Sequence, residues 1–372
     1  MNAAPGAVAS MPAKAPTPPL RHVGISLGNI ERFVDGLGEF SQQLGTALAA
    51  RAPALREQQG LALHFHVVPA LVGCFGKDVG YLPVRRSQEW WHVQPQRLDL
   101  WHTLNQLNRY PAPRGTGWRL LTVHDLNFVH VKRGYSRWRD LRRLRRRLAT
   151  HDRIVTISDH VGADLRQHLG EARPLQTVYN GVRDLSAAPQ EAVPGMEPGY
   201  LFHISRMTGS KNVEALLAMM AAWPGQRLVL AGPSAVRNAE LQARADALGL
   251  ADVRILTMVN QAQKAWLYAH CGAFVFPSLT EGFGLPPVEA LHFGKPVVMS
   301  DRTCLPEIGG DAAHYWHDFE PRAMRRVTEA ALAAAGPAQA AAAKARARRF
   351  SWDRAADAYV AEYLRGAPHD GR

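Results

Sequence analysis

Short branched runs alternate with amphipathic stretches along most of the chain. Residues 23–27 read as a buried strand, and GLGEFSQQLGTALAA from Gly36 onward reads as a glycine turn feeding an amphipathic helix. Further strand-like runs lie at 63–68, 120–123 and 154–157. Each is short, rich in branched residues and followed by polar or helical sequence, which predicts a parallel α/β sheet. A last strand before His102 is suggested by DLWH.

Residues 186–199 lack periodicity and are rich in Ala, Pro, Gly and Glu, so they are expected to form a linker. The alternation restarts beyond it, with strand patterns at 200–204, 226–231, 253–256, 273–276 and 296–300. A second doubly wound sheet is implied, with ligand sites expected at the C-terminal ends of its strands. An Ala-rich helix is predicted over about 322–349, ahead of the amphipathic FSWDRAADAYVAEYL. The expected division is a flexible tail over 1–20, a first domain over 21–185, a linker over 186–199, a second domain over 200–349, and a final helix over 350–372 that crosses back.

Composition sharpens this picture. A chain of 372 residues exceeds what one core usually serves, and 47% hydrophobic residues are enough for two. Cys74, Cys271 and Cys304 match neither a disulfide framework nor a zinc spacing, so a reducing compartment is expected. No apolar h-region follows Lys14, and no run reaches the roughly 18 apolar residues of a spanning helix, which together predict a cytoplasmic location. The net charge of +12 calls for an anionic partner. Nine of the sixteen residues from 132 to 147 are Lys or Arg. Within that run Trp138, Leu141, Leu144 and Leu148 form one apolar stripe, which leaves Arg142, Arg143, Arg145 and Arg146 as candidate contacts to anionic lipid at a membrane face. A solvated charged helix packed on its own domain is the competing reading.

The densest chemistry is FVFPSLTEGFGLPPVEALHFGKPVVMS over 274–300, read as strand, glycine loop, helix and strand. Pro286 and Pro287 suit a first helical turn and Gly294 a helix stop. The loop Glu281, Gly282, Phe283, Gly284 and Leu285 would then present free amides at a helix N-terminus. Glu281 and Glu289 would accept hydrogen bonds from sugar or ribose hydroxyls, or else serve as a solvated loop residue and a dipole complement. In HISRMTGSKNVEALLAM, Arg206 and Lys211 flank a short loop after a strand, as suits a diphosphate. Two surface cations are the alternative. No Asp-x-Asp pair occurs, so no metal is expected on that diphosphate, and protein cations take its place.

Taken together, EGFGLPPVEAL, Arg206 with Lys211, VYNGV, IVTISDHV and FSW resemble family 4 of the retaining glycosyltransferases, over most of the chain. The resemblance implies the GT-B architecture, two Rossmann-like domains facing an interdomain cleft. It implies a nucleotide-sugar donor, a glycan or lipid-linked acceptor, retention of configuration and no cofactor. Glu281 would orient the transferred sugar and Glu289 the ribose. Gly36 and Gly38 look like the family's glycine loop facing the donor phosphates. TVHDLNF resembles its His-Asp segment, which makes His124 and Asp125, with His102 behind them, the acceptor-side candidates. Ser205 and Met258 depart from glycines common in the family, which bears on base preference. The double proline looks like members that build bacterial surface polysaccharides from GDP-mannose. A nucleic-acid-binding protein is the rival class, but no helix-turn-helix, zinc spacing or RNP-like strand supports it. Another GT-B enzyme, a phosphorylase or a sugar-nucleotide epimerase, is the nearer rival.

Overall fold

The computed structural model describes residues 19–33 and 35–366. The tail expected over 1–20 therefore lies almost wholly outside the described residues, as do the last residues of the 350–372 segment. Two all-parallel sheets organise the rest. The first has seven strands in the order β3-β2-β1-β4-β5-β6-β7. These are β1 (Arg21–Ser26), β2 (Leu61–Val67), β3 (Gly80–Pro83), β4 (Leu100–Thr103), β5 (Trp118–Val123), β6 (Arg153–Thr156) and β7 (Gln176–Thr177). The second has six, in the order β10-β9-β8-β11-β12-β13. These are β8 (Leu201–Ile204), β9 (Leu228–Gly232), β10 (Val253–Thr257), β11 (Ala273–Phe276), β12 (Val297–Ser300) and β13 (His314–Trp316).

Parallel neighbours need crossovers, and helices supply most of them. In the first unit they are α1 (Gly36–Gln59), α2 (Asn127–Val131), α3 (Gly134–Ala149) and α4 (Asp159–Leu169). In the second they are α5 (Val213–Ala221), α6 (Ala235–Ala247), α7 (Gln261–His270), α8 (Leu285–His292), α9 (Leu305–Gly309), α10 (Pro321–Ala333) and α11 (Pro337–Ala347). The caps are local. Asp35 accepts the Gly38 amide at the start of α1, Ser158 accepts the Val161 amide at the start of α4, and Gly60 and Gly170 close those helices in the left-handed region.

The single helix predicted over 322–349 is two helices. Pro337 has no amide to donate and forces Gly336 into extended backbone, so α10 stops before it and α11 starts on it. The four strands with little or no sequence signal are short: β3, β4, β7 and β13 hold four, four, two and three residues. Residues 186–199 form no helix or strand and are tied to the second unit through Glu191, which accepts from Asn260 and Gln263, and Gly195, whose carbonyl accepts from Arg254.

A final helix, α12 (Trp352–Arg365), lies against the first sheet. Its Tyr363 hydroxyl meets His102 Nδ1 at 2.7 Å, Tyr359 meets Thr122 at 3.0 Å, and Glu362 accepts from Arg153 at 2.9 Å. Where the chain crosses, a Cβ on Gly181 would sit 2.3 Å from the Trp352 amide nitrogen. One apolar cluster joins residues of both sheets, among them Val123, Ile157, Phe276, Phe283 and Phe350.

Seven imidazoles are buried among the described residues, and five of them shift furthest. Burial pushes His66 and His102 down to about 3, and His124, His151 and His203 down to about 4. They are neutral in the fold and take up protons when released, so their contribution is complete above pH 6.5 or so and declines as pH falls toward 4. The urea midpoint followed by circular dichroism is expected to drop between pH 7 and pH 5. An unchanged midpoint over that interval would contradict the assignment.

Candidate active site

The loop after β11 is fixed from two sides before it reaches α8. Leu279 donates its amide to the Ser210 carbonyl at 2.8 Å, and the Glu281 amide donates to Thr303 Oγ1 at 3.0 Å. The loop then bears on the first domain. A Cβ on Gly282 would lie 2.0 Å from the His124 carbonyl oxygen and 3.0 Å from Asp125 Cβ, so only glycine allows this approach. Ser158 Oγ donates to the Gly282 carbonyl at 2.8 Å, and Thr280 Oγ1 meets Asn127 Oδ1 at 2.5 Å. Glu307 reaches back the other way, accepting the Asp159 and His160 amides at 2.6 and 2.9 Å.

The charges gather at this seam. Lys211 Nζ donates to Glu281 Oε1 at 2.5 Å, and both side chains are largely buried. Arg206 is exposed and forms no ion pair among the described residues. Burial raises the Asp125 carboxyl and Glu281 raises it further, while Lys211 and Arg206 pull it down. All four groups therefore share one local field. Glu289 forms a second buried pair: Lys264 Nζ at 2.5 Å on one oxygen and the Tyr268 hydroxyl at 2.8 Å on the other. Burial alone would lower the Lys264 amine, but Glu289 and Glu39 hold it above its usual value. Burial raises the Glu39 carboxyl, and the Glu289 charge adds to it, which places this α1 residue opposite the second domain's pair.

The structure thus brings Arg206, Lys211, Glu281 and Asp125 together, with Glu289 beside Lys264 and Glu39. Sequence reading missed Glu39, Lys264 and Tyr268. The signal for Glu39 was its place in GLGEF, one residue past Gly38. Gly38 is needed for space, since its Cβ would fall 2.7 Å from the Arg32 carbonyl oxygen, but its amide is already held by Asp35. Gly36 is exposed, with open space around it. Among the described residues, four other than glycine hold positive φ: Met207, Asn212, Met258 and Thr303. They follow Arg206, follow Lys211, stand one residue past β10 and bond the Glu281 amide, so backbone strain concentrates at the C-terminal edge of the second sheet.

His124 ends β5 with Nε2 donating to the Leu104 carbonyl at 2.8 Å and the ring edge-on to Phe40. Its Nδ1 is left without a proton and without a partner among the described residues. His102 does not reach the cleft. Its ring lies wholly inside the first domain, with Nδ1 on Tyr363 and Nε2 on Thr122 at 2.8 Å, because β4 is covered there by α12. Arg142, Arg143, Arg145 and Arg146 are exposed on α3, while Leu144 and Leu148 pack inward and Leu141 lies partly buried against them.

Two facing parallel α/β domains with a glycine loop, two buried Lys-Glu pairs and an unpaired arginine at their seam define a GT-B glycosyltransferase. The first domain matches the model "Glycosyltransferase Family 4" over residues 30–184 and the second matches "Glycosyl transferases group 1" over 187–348, and the chain belongs to family 4 of the glycosyltransferases. It is similar to the serotype-specific mannosyltransferase WbdA of Escherichia coli, at 31% identity over 49% of this chain and 22% of that protein. It is also similar to the O-antigen chain mannosyltransferase B of Escherichia coli, at 31% identity over 45% of this chain and 47% of that protein. The matches thus span from about a fifth to about half of these relatives. In fold it is similar to sucrose-phosphate synthase from Thermosynechococcus elongatus, with a TM-score of 0.70 at 20% identity, covering 93% of this chain and 98% of that one.

Gly282→Ala is expected to cut turnover at least about tenfold by wedging the seam open, as is Glu281→Gln by removing the charge that pairs with Lys211. Single-turnover assays with thermal melts check this. Near-normal rates in both variants would remove the seam from the reaction.

Proposed function

We propose that the chain transfers a mannosyl group from a nucleoside-diphosphate sugar to a glycan or lipid-linked acceptor of bacterial surface polysaccharide. The observation that carries this reading is the placement of Arg206 and the Lys211–Glu281 pair against the His124-Asp125 segment. The mannosyltransferase names of the relatives support the sugar, and GDP is the nucleotide expected with it.

In this reading the bond from the anomeric carbon to the diphosphate oxygen breaks as the acceptor hydroxyl oxygen bonds to that carbon, the hydroxyl proton passes to the departing diphosphate, and Arg206 with Lys211 takes up the charge developing on the leaving group. Such fixed cations contribute a few kcal/mol each. Glu281, released from Lys211 by the incoming phosphate, orients the transferred sugar, and Glu289 holds the ribose. Both carboxylates already face lysines, which suits a site that works without a metal on the diphosphate. Neutral His124 offers Nδ1 as an acceptor to a sugar hydroxyl. The family resemblance carries retention of configuration.

Thermal protection should be seen with GDP-mannose and be weaker with UDP and dTDP sugars. Label from GDP-mannose should then enter a membrane extract, and transfer should survive EDTA. No protection by any nucleotide sugar would overturn the reading, and loss of transfer in EDTA with rescue by Mg or Mn would overturn the metal-free mechanism.

No helix among the described residues is long and apolar enough to cross a membrane. We place the acceptor's membrane contact on α3. Tyr135 and Trp138 stack at 5.6 Å on its outer face, 73% and 51% exposed, and Arg142 lies over Trp138. By the C-terminal half of α3 a cavity of about 410 Å³ is lined by Arg114, Arg119, Arg143, Arg146 and Arg147, none ion-paired among the described residues. Each cation near an anionic bilayer contributes about 1 kcal/mol, and salt screens it. Wild type should co-sediment with anionic vesicles at low salt, and a variant with Arg142, Arg143, Arg145 and Arg146 changed to Gln should not. Equal binding by both would exclude α3 as the contact.

A further inference from the structure

Away from the paired lysines, α2 and α4 bring three imidazoles around one buried carboxylate. His160, Asp164 and His168 are spaced four apart on one face of α4, and His130 faces them from α2. Asp164 is 6% exposed at its side chain. Its Oδ2 lies 2.9 Å from His130 Nε2 and 3.6 Å from His160 Nε2, and its Oδ1 lies 3.8 Å from His168 Nε2.

Hydrogen bonding satisfies only part of this arrangement. His130 holds Oδ2, but His160 Nε2 is buried with no hydrogen-bond partner, 3.6 Å being too long for one. An orphaned ring nitrogen beside a buried carboxylate is costly unless something else occupies the space between them.

We propose that His130, His160 and Asp164 bind a divalent transition metal of the zinc class. The three donor atoms already lie within 4.8 Å of one another, as no other group of three His, Cys, Asp or Glu residues does among the described residues. A four-coordinate site with bonds of about 2.0–2.2 Å has ligand–ligand edges of about 3.3–3.6 Å, so closing it needs only small side-chain rotations. Two imidazoles and one carboxylate suit zinc in preference to calcium or magnesium, which favour all-oxygen sites. His130 lies on the exposed side and offers the entry path. His168 acts as a positioning residue: Arg137 Nη2 stands 3.5 Å from its Nδ1, which turns the Nε2 proton toward Asp164 Oδ1. The bound ion staples α2 to α4. The first of these helices begins two residues after Asp125, and the second has its first two amides capped by Glu307 of the other domain. The site therefore braces the acceptor-side wall and takes no part in the chemistry at the diphosphate.

The test uses the full untagged chain, stripped with chelator and dialysed. Zn²⁺ titrated by calorimetry should bind at one equivalent and raise the melting temperature, and Co²⁺ should give the visible bands of a four-coordinate site. His160→Gln and Asp164→Asn should each weaken Zn²⁺ binding at least about tenfold, while His317→Gln, on the surface, should not. If Asp164→Asn does not fold, His160→Gln decides alone. Absence of a saturable equivalent in wild type, or equal Zn²⁺ affinity in the folded variants, overturns the site.

Discussion

The contact on which the molecule turns is between two pieces of backbone. The Gly282 backbone presses on the His124 carbonyl so closely that no side chain fits between them. Backbone has no rotamers to yield, so this contact sets the gap between the ends of the two sheets more rigidly than side-chain packing could. The Ser158, Asn127 and Glu307 bonds then fix the lateral register across the same seam. Glu281 and Asp125 stand beside the pinned residues, and Glu289 sits on the helix that the pinned loop leads into.

Two buried Lys-Glu pairs beside such a seam are unusual as stabilisers, because removing both charges from water costs about as much as their attraction returns. Their value is positional. Lys211 and Glu281 come from different loops, as do Lys264 and Glu289 from different helices, and each holds its partner's charge in place. In the proposed reaction an anionic ligand would compete for the lysines and free the carboxylates as acceptors. The strained backbone at Met207, Asn212 and Thr303 is tolerable for the same reason, since the surrounding bonds over-determine it.

Much of this was legible in the chain. Strands buried on both faces read as continuous branched runs, so β1, β2, β5, β6, β8, β11 and β12 stood out, and the loop from Glu281 to Leu285 declared itself by its glycines and prolines. Edge strands of two to four residues carry too little pattern, and β3, β7 and β13 escaped. A run of alanines hid the break at Gly336 because the helix propensity on both sides outweighed one Gly-Pro step. His102 shows the harder limit. A histidine at a strand end looks the same whether the next layer is a cleft or a helix from 261 residues away, and only the fold told them apart. Glu39 was missed likewise, since its partners Glu289 and Lys264 lie in the other domain.

The return of α12 also has a temporal meaning. His102 and Thr122, in the middle of the first sheet, find hydrogen-bond partners in Tyr363 and Tyr359, near the far end of the chain. A ribosome delivers those tyrosines only after the whole second domain has emerged. Until then the first sheet lacks the layer that covers β4 and β5, and His102 Nδ1 has only water to bond. The domain made first is therefore the domain completed last.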